Sequence, residues 1–391
     1  MAQEGRIDVT VQWAQGRCVD VEVASTRKVD VWRALEGRRV DEALVLAPLL
    51  SSICSTAHGL AGLSAVEAAL GVGVDDVQRA LRQVLVASEV LQNHLWFWLL
   101  TAPELMGAAP DATTLRQVRA QVAELHGAIG FERPWARVGG TSLAPSPDRI
   151  AVSLDALHRV LASVGATRCT SFEELPRLPG PIGATLRFVL NGPLARLGLT
   201  PPVTDTPAAQ AVAELLAVEP GFAAAPVWRG TPLERGPLPA QATHPLVRGV
   251  IARAGHGLAA RLVARLVETC AVAADLHEAA QNLRAATGTR TSPHGSGRGV
   301  GQAPTSRGPL VHSVHVEQGQ VVVWRVVAPT EWTFHPRGAV REALIGLSAP
   351  DVHLAADWSR WVVATLDPCV ASEVHVRERV DARGSAGPEH R

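Results

Sequence analysis

The chain has 391 residues, of which 47% are apolar, and its 37 basic side chains are balanced by 37 acidic ones. That length supports two or three conventional domains or one large core, and the balanced charge offers no field for nucleic acid or an anionic membrane surface. Met1 to Thr10 holds no apolar run of signal-peptide length, and charges or prolines interrupt every later apolar run before about 18 residues, so a cytoplasmic protein without membrane insertion is expected.

Residues 6 to 31 alternate apolar and polar side chains, with Ile7, Val9, Val11 and Trp13 followed by Val19, Val21 and Val23, and predict an opening hairpin. Ser64-Ala-Val-Glu67 has the form of a capping box. A second helix start at Asp75 leads into Val77, Leu81, Val84, Leu85, Ser88, Leu91, Leu95 and Leu99, which predicts a long core helix stopped near Pro103. Further helices are expected over residues 115–129, ended by Gly130, over 150–164, ended by Gly165, and over the Ala- and Arg-rich stretch 258–286. Residues 287–309 turn rich in Gly, Ser, Thr, Pro and Arg and predict a flexible loop, after which Val314, Val316, Val321 and Val323 resume strand character. Residues 376–391 read as a charged, mobile tail beyond a single domain spanning 1–375.

Five cysteines, Cys18, Cys54, Cys169, Cys270 and Cys369, are odd in number and too few for a disulfide framework, and a cytosolic thiol is buried, metal-bound or reactive. Two of them sit near a histidine, in Ser51-Ser-Ile-Cys54-Ser-Thr-Ala-His58 and Asp367-Pro-Cys369-Val-Ala-Ser372-Glu-Val-His375. Taken alone, each spacing fits a buried thiol beside a core histidine better than half of a metal site. Cys18, Cys169 and Cys270 lie in strand, loop and helical contexts with no partner motif, and are read as packing residues.

The flanks change that balance. The first segment resembles the Arg-x-Cys-Gly-x-Cys-x-x-x-His motif of nickel-iron hydrogenase large subunits, and the second resembles their Asp-Pro-Cys-x-x-Cys-x-x-His. Gly37-Arg38, the segment from Thr231 to Leu238, Ser306-Arg307-Gly308-Pro-Leu-Val-His312 and Ala328-Pro329-Thr330-Glu-Trp332-Thr333 are similar to further segments of that family in the same order. The resemblance implies an α+β fold with a central long-helix bundle and peripheral β-strands. It also implies a metal site in which four cysteine thiolates hold nickel, two of them bridging to an iron that carries cyanide and carbon monoxide.

Here Ser51 and Ser372 stand where two of those cysteines belong, leaving Cys54 and Cys369 as metal ligands, and a serine hydroxyl is a hard, weak donor where a thiolate is soft. Leu49 replaces an arginine, and Trp32 falls where the family has a glutamate associated with proton transfer. By the resemblance Arg307, Pro329 and Thr330 surround the diatomic ligands, with His58 and His375 behind the thiolates. Without it, Arg307 is a loop arginine, Thr330 a turn residue, and both histidines core packing.

Large-subunit look-alikes that lack part of the cysteine set include the hydrogenase maturation proteins of the HupK/HoxV type, which this sequence resembles. The resemblance implies a scaffold with no catalytic residue, which holds the iron with its cyanide and carbon monoxide ligands in transit and forms no complete nickel-iron site. The expected partners are a small HypC-type chaperone, its HypD-type partner and the precursor of the hydrogenase large subunit. Two other readings stay open: a redox or electron-transfer subunit derived from the same fold, and a metal-free interaction protein whose cysteines are relics.

Overall fold

The N-terminal alternation forms a hairpin, β1 (Arg6–Ala14) and β2 (Arg17–Ser25), with Ile7, Val9 and Val11 fully buried on its inner face. A computed structural model describes residues 5–283 and 295–379 of the protein. A strand from the far end of the chain, β6 (Ala371–Glu378), pairs in parallel with β1 and completes a sheet of order β2-β1-β6. A second, antiparallel sheet is formed by β3 (Arg298–Thr305), β4 (Gly308–Glu317) and β5 (Gln320–Val327).

The long helices lie between and beside these sheets: α1 (Ser55–Leu70), α2 (Asp76–Trp96), α3 (Ala112–Ile129), α4 (Pro147–Ser163), α5 (Leu258–Asn282) and α6 (Val352–Leu366). Side-chain caps explain several of their starts, because Asp75, Asp111 and Asp351 each accept the backbone N–H three residues on. Past Trp96 a π-helical turn (Phe97–Thr101) and one more α-turn (Ala102–Leu105) carry the chain over Pro103, which sits at the tolerated start of that last turn.

Three sequence expectations are corrected. Ser64 and Glu67 do not start a helix; they lie inside α1, where Glu67 is buried and takes both guanidinium nitrogens of Arg82 at 2.7 and 2.8 Å, tying α1 to α2. The loop expected over 287–309 is interrupted by β3, whose glycines pack on a helix, while residues 287–294 lie outside the described residues. Of the tail expected over 376–391, Val376 to Glu378 instead extend β6 under pairing with β1, and residues 380–391 lie outside the described residues.

The contact that positions the site is that of α1 with β3. Alanines recur along α1 at Ala57, Ala61, Ala65 and Ala69, all buried, and β3 lies across them with glycines at 299 and 301. A Cβ on Gly301 would stand 2.0 Å from the Ala61 carbonyl oxygen, and one on Gly299 2.0 Å from that of Ala65. Only glycine lets the strand backbone approach the helix this closely. The N-terminus of α1, where Cys54 is the cap residue, and the β3–β4 turn, which carries Arg307, are thereby held against one another.

Candidate functional site

Cys54 is buried at the cap of α1, and Cys369 follows Asp367 and Pro368 at the end of α6, partly exposed overall but with its sulfur enclosed. Arg307 sits between these segments. Its Nη1 lies 3.8 Å from Cys54 Sγ and donates to Ser306 Oγ, its Nε donates to the Asp367 carbonyl at 2.9 Å, and its Nη2 reaches Asp367 Oδ1 at 3.1 Å. Asp367 occupies the left-handed region (φ 57°), a costly conformation for a non-glycine residue, and there both its carbonyl and its carboxylate face the same guanidinium.

A second arginine holds the other sulfur. Arg27, just beyond β2, donates from Nη1 to Cys369 Sγ at 2.7 Å and pairs through Nε with Glu331 at 2.6 Å. Pro329 opens the short helix Pro329–Thr333 that carries Thr330 and Glu331, all three buried. The Thr330 hydroxyl lies close enough to Cys369 to favour its ionised form, yet its oxygen is buried with no hydrogen-bond partner.

Burial pushes the Cys54 thiol up to about 12 against the pull of Arg307, and raises Cys369 against Arg27 and Arg307, so both are thiols at neutral pH. The Arg307 guanidinium, although desolvated, is held more firmly protonated by Asp367, Cys54 and Cys369. Two enclosed thiols that perturb each other electrostatically, faced by two fixed cations, can bind a soft metal once their protons leave. Beside them opens a cleft of about 720 Å³, lined by Arg307, Asp367, Glu89 and the neighbours of both cysteines. Glu89 accepts the Thr56 and Ala57 N–H groups at 2.7 and 3.0 Å, so the positive end of α1 is already satisfied by protein.

Not every expected residue converges. His58 is fully buried, but its ring turns to His312, with Nδ1 to Nε2 at 2.9 Å, and stacks on Trp32 at 4.4 Å. Trp324 Nε1 can only donate, to His312 Nδ1, so His312 donates through Nε2 to His58 Nδ1. Burial lowers both histidines, His312 to about 3, and neutral rings suit this chain of bonds. His58 therefore braces the turn of α1 behind Cys54, through its backbone N–H to the Cys54 carbonyl, and does not point at a sulfur.

His375 departs further. It lies on β6 opposite Thr10, about half exposed, 3.3 Å from Glu373. Ser372 is also exposed on β6, paired with Ile7, and after Cys369 the chain runs along the wall of the cleft through Val370, Ala371 and Ser372 before His375 continues the strand. Strand pairing with β1 explains this, because residues from Ala371 onward satisfy their backbone in the sheet. Arg27, Glu331, Asp367, Glu89 and His312 were not singled out from the sequence. Asp367, Glu331 and His312 lie inside quoted motifs, whereas nothing in the local pattern marks Arg27 or Glu89.

These elements define a class, the large-subunit fold of nickel-dependent hydrogenases. A family model of that description matches residues 219–375. The reduced nickel-iron-selenium hydrogenase of Desulfovibrio vulgaris Hildenborough superposes with a TM-score of 0.69 at 19% identity, over 91% of this chain and 94% of that one. The reduced, active hydrogenase of Desulfomicrobium baculatum gives 0.68 at 17% identity, over 92% and 95%.

Within that class, the chain belongs to the hydrogenase expression/formation proteins. It is 30% identical to HupK of Rhizobium leguminosarum bv. viciae over 96% of this chain and 97% of that protein, and 30% identical to HupV of Azotobacter chroococcum over 95% and 98%. HoxV of Cupriavidus necator is 27% identical over 91% and 93%. The chain therefore has a role in hydrogenase maturation. Among the described residues no helix is long and apolar enough to cross a membrane.

Proposed function

We propose that the chain is a non-catalytic scaffold that holds iron with its cyanide and carbon monoxide ligands between Cys54 and Cys369 and passes it to the precursor of the hydrogenase large subunit. The observation that carries this reading is the pairing of each sulfur with its own arginine, Arg307 on Cys54 and Arg27 on Cys369, beside the unpartnered Thr330 hydroxyl. A fragment bearing cyanide needs donors aimed at its nitrogens, and a buried hydroxyl without a partner is suited to one, as a guanidinium is to the other.

The chain's own chemistry is proton and charge handling. Both thiols must lose a proton when the cargo docks, and Arg27 and Arg307 then balance the two thiolates in a dry pocket. With serine at 51 and 372, and Ser372 exposed on β6, the two further thiolates that nickel requires in the enzyme are missing, so the iron is held without a bimetallic centre forming. The cleft beside Arg307 leaves the cargo a way in and out, as a carrier needs. The donor of the fragment would be a small HypC-type chaperone with its HypD-type partner.

The test is iron content after anaerobic purification from a host with its maturation machinery. Iron should accompany the wild-type chain and be lost in Cys54→Ala and Cys369→Ala, while Cys169→Ala and Cys270→Ala keep it. Iron-free wild-type protein that still supports maturation would favour the metal-free interaction reading instead.

A further inference from the structure

The cleft that opens beside the sulfurs has a second, outer end. At the inner end lie Arg307 and Asp367, with 10% and 14% of their side chains exposed. At the other stand Trp96, the last residue of α2 and 47% exposed, and Arg119 on α3, which is exposed as well. Asn93 links the two ends: it lines the cleft three residues before Trp96 and donates from Nδ2 to the carbonyl of Ile53, the residue before Cys54, at 3.4 Å. An apolar side chain exposed singly, as Val218 is, needs no explanation. Trp96 differs because it shares a concave wall with Ile53 and carries a cation, the Arg119 guanidinium standing over its ring 5.4 Å from the centroid.

The charges along the cleft are matched except at that outer end. Glu89 is taken by the Thr56 and Ala57 N–H groups, and Asp367 by Arg307 and Arg265. His126 is uncharged at neutral pH, because burial lowers it to about 4. Arg119 has no carboxylate partner among the described residues. A guanidinium held over a ring keeps the N–H groups in its own plane free, a fork that matches a carboxylate. Two amide oxygens also stand idle. Gln92 and Asn93 each use the NH2 group on a backbone carbonyl, and neither side-chain oxygen accepts a hydrogen bond among the described residues. A wall that offers a carboxylate site, an aromatic face and acceptors for N–H groups fits an extended peptide. A volume of about 720 Å³ admits a few residues of one and no folded domain.

We propose that the outer end of the cleft is where the protein that delivers the iron cargo docks, inserting an extended segment that places a carboxylate on Arg119 and a neighbouring apolar side chain on Trp96. Tryptophan and arginine are prominent among the residues that anchor protein interfaces. A segment lying here runs along the cleft toward Cys54, so docking and delivery share one path. That the occupant is an acidic peptide segment rests on the cleft alone; that it belongs to the delivering protein rests on the scaffold reading.

The experiment measures binding of the iron-free full-length chain to the iron-free HypC-type chaperone of the same host. Calorimetry is run at about 0.15 M salt, where exposed charges more than about 8 Å apart are largely screened. Arg119→Glu and Trp96→Ala should each weaken binding by about tenfold or more. Arg248→Glu, the same charge change on an exposed residue that does not line the cleft, should leave it within about twofold. A benzophenone cross-linker placed at Arg116, one turn from Arg119, should capture the chaperone at a segment that carries aspartate or glutamate. Replacing that carboxylate by lysine should restore binding to Arg119→Glu. Absence of binding by the wild type, unchanged binding in both variants, or capture at a segment without an acidic residue would overturn the proposal. So would variants that weaken binding of the large-subunit precursor and leave the chaperone unaffected. Both altered side chains are at the surface, and circular dichroism with a melting curve verifies that each variant is folded; if one is not, Arg119→Gln and the lysine exchange on the chaperone decide. No readout requires iron, so failure here is distinguishable from failure of the scaffold reading, which iron content tests.

Discussion

Cys54 and Cys369 are held by a framework in which each neighbour is fixed by another, whereas Ser372 and His375, a few residues further on, lie exposed on an edge strand. Both regions come from motifs that look equally metal-binding in sequence. The difference lies in what satisfies the backbone: after Cys369 the chain is captured by pairing with β1, so Ser372 lines only the cleft's exposed wall and His375 lies on the outer strand, while Cys54 is locked by close helix–strand packing and by Glu89. Half of the motif is thus converted into a site and the other half into sheet.

The largest effect separating the two regions is expected in maturation itself. Cys54→Ala and Cys369→Ala should each lower the yield of mature hydrogenase in the host by about tenfold or more, the scale on which ligand-sphere changes act. Ser372→Ala and His375→Ala should leave it nearly unchanged. A collapse of maturation in His375→Ala would place the exposed strand back in the site.

Stability should divide the same way. Glu67→Ala strips the buried Arg82 of its partner and should cost about 3–5 kcal/mol in denaturant titration, whereas Glu373→Ala, which removes the half-exposed pairing with Arg6, should cost under about 1 kcal/mol. Gly301→Ala forces a methyl group against the Ala61 carbonyl and should cost about 1–3 kcal/mol. If Gly301→Ala melts like the wild type, the α1–β3 contact is not what positions Cys54.

The smallest expected effect is on pH dependence. The Cys54 thiol titrates near 9.0 when unfolded and near 12 when folded, because burial disfavours the thiolate. Folding is therefore favoured fully below about pH 9, and this contribution declines as pH rises from there toward 12, where the unfolded chain has released a proton that the folded one retains. Cys54→Ala should flatten the alkaline limb of a stability–pH curve, and an unchanged limb would mean that the thiol is already ionised in the fold.

Much of this was legible in the sequence. The alternating N-terminus, the capped helix at Asp75 and the order of family-like segments led to the fold, and the retained Cys54, Cys369 and Arg307 do come together. What was hidden is what long-range packing decides. Glu67 reads as a local cap because three-residue spacing is all a sequence offers, yet its partner Arg82 is on the next helix. The Gly-rich run at 298–305 reads as a loop because glycine is a poor strand former, but close approach to α1 requires it. Arg27 has no motif at all, since its role exists only once β2 ends beside α6 and the Pro329–Thr333 helix.

At the centre stand two arginine-paired sulfurs that are proposed to hold an iron carrying diatomic ligands. Infrared spectroscopy of the wild-type chain, purified without oxygen from a host that makes the fragment, tests this most directly, because cyanide and carbon monoxide stretches have few other sources in a protein. Both kinds of band are expected in the wild type, with cyanide bands shifted in Arg307→Lys and none of either kind in Cys54→Ala. Protein that is active in maturation but shows no such bands, or bands unchanged by loss of Cys54, would contradict the scaffold reading.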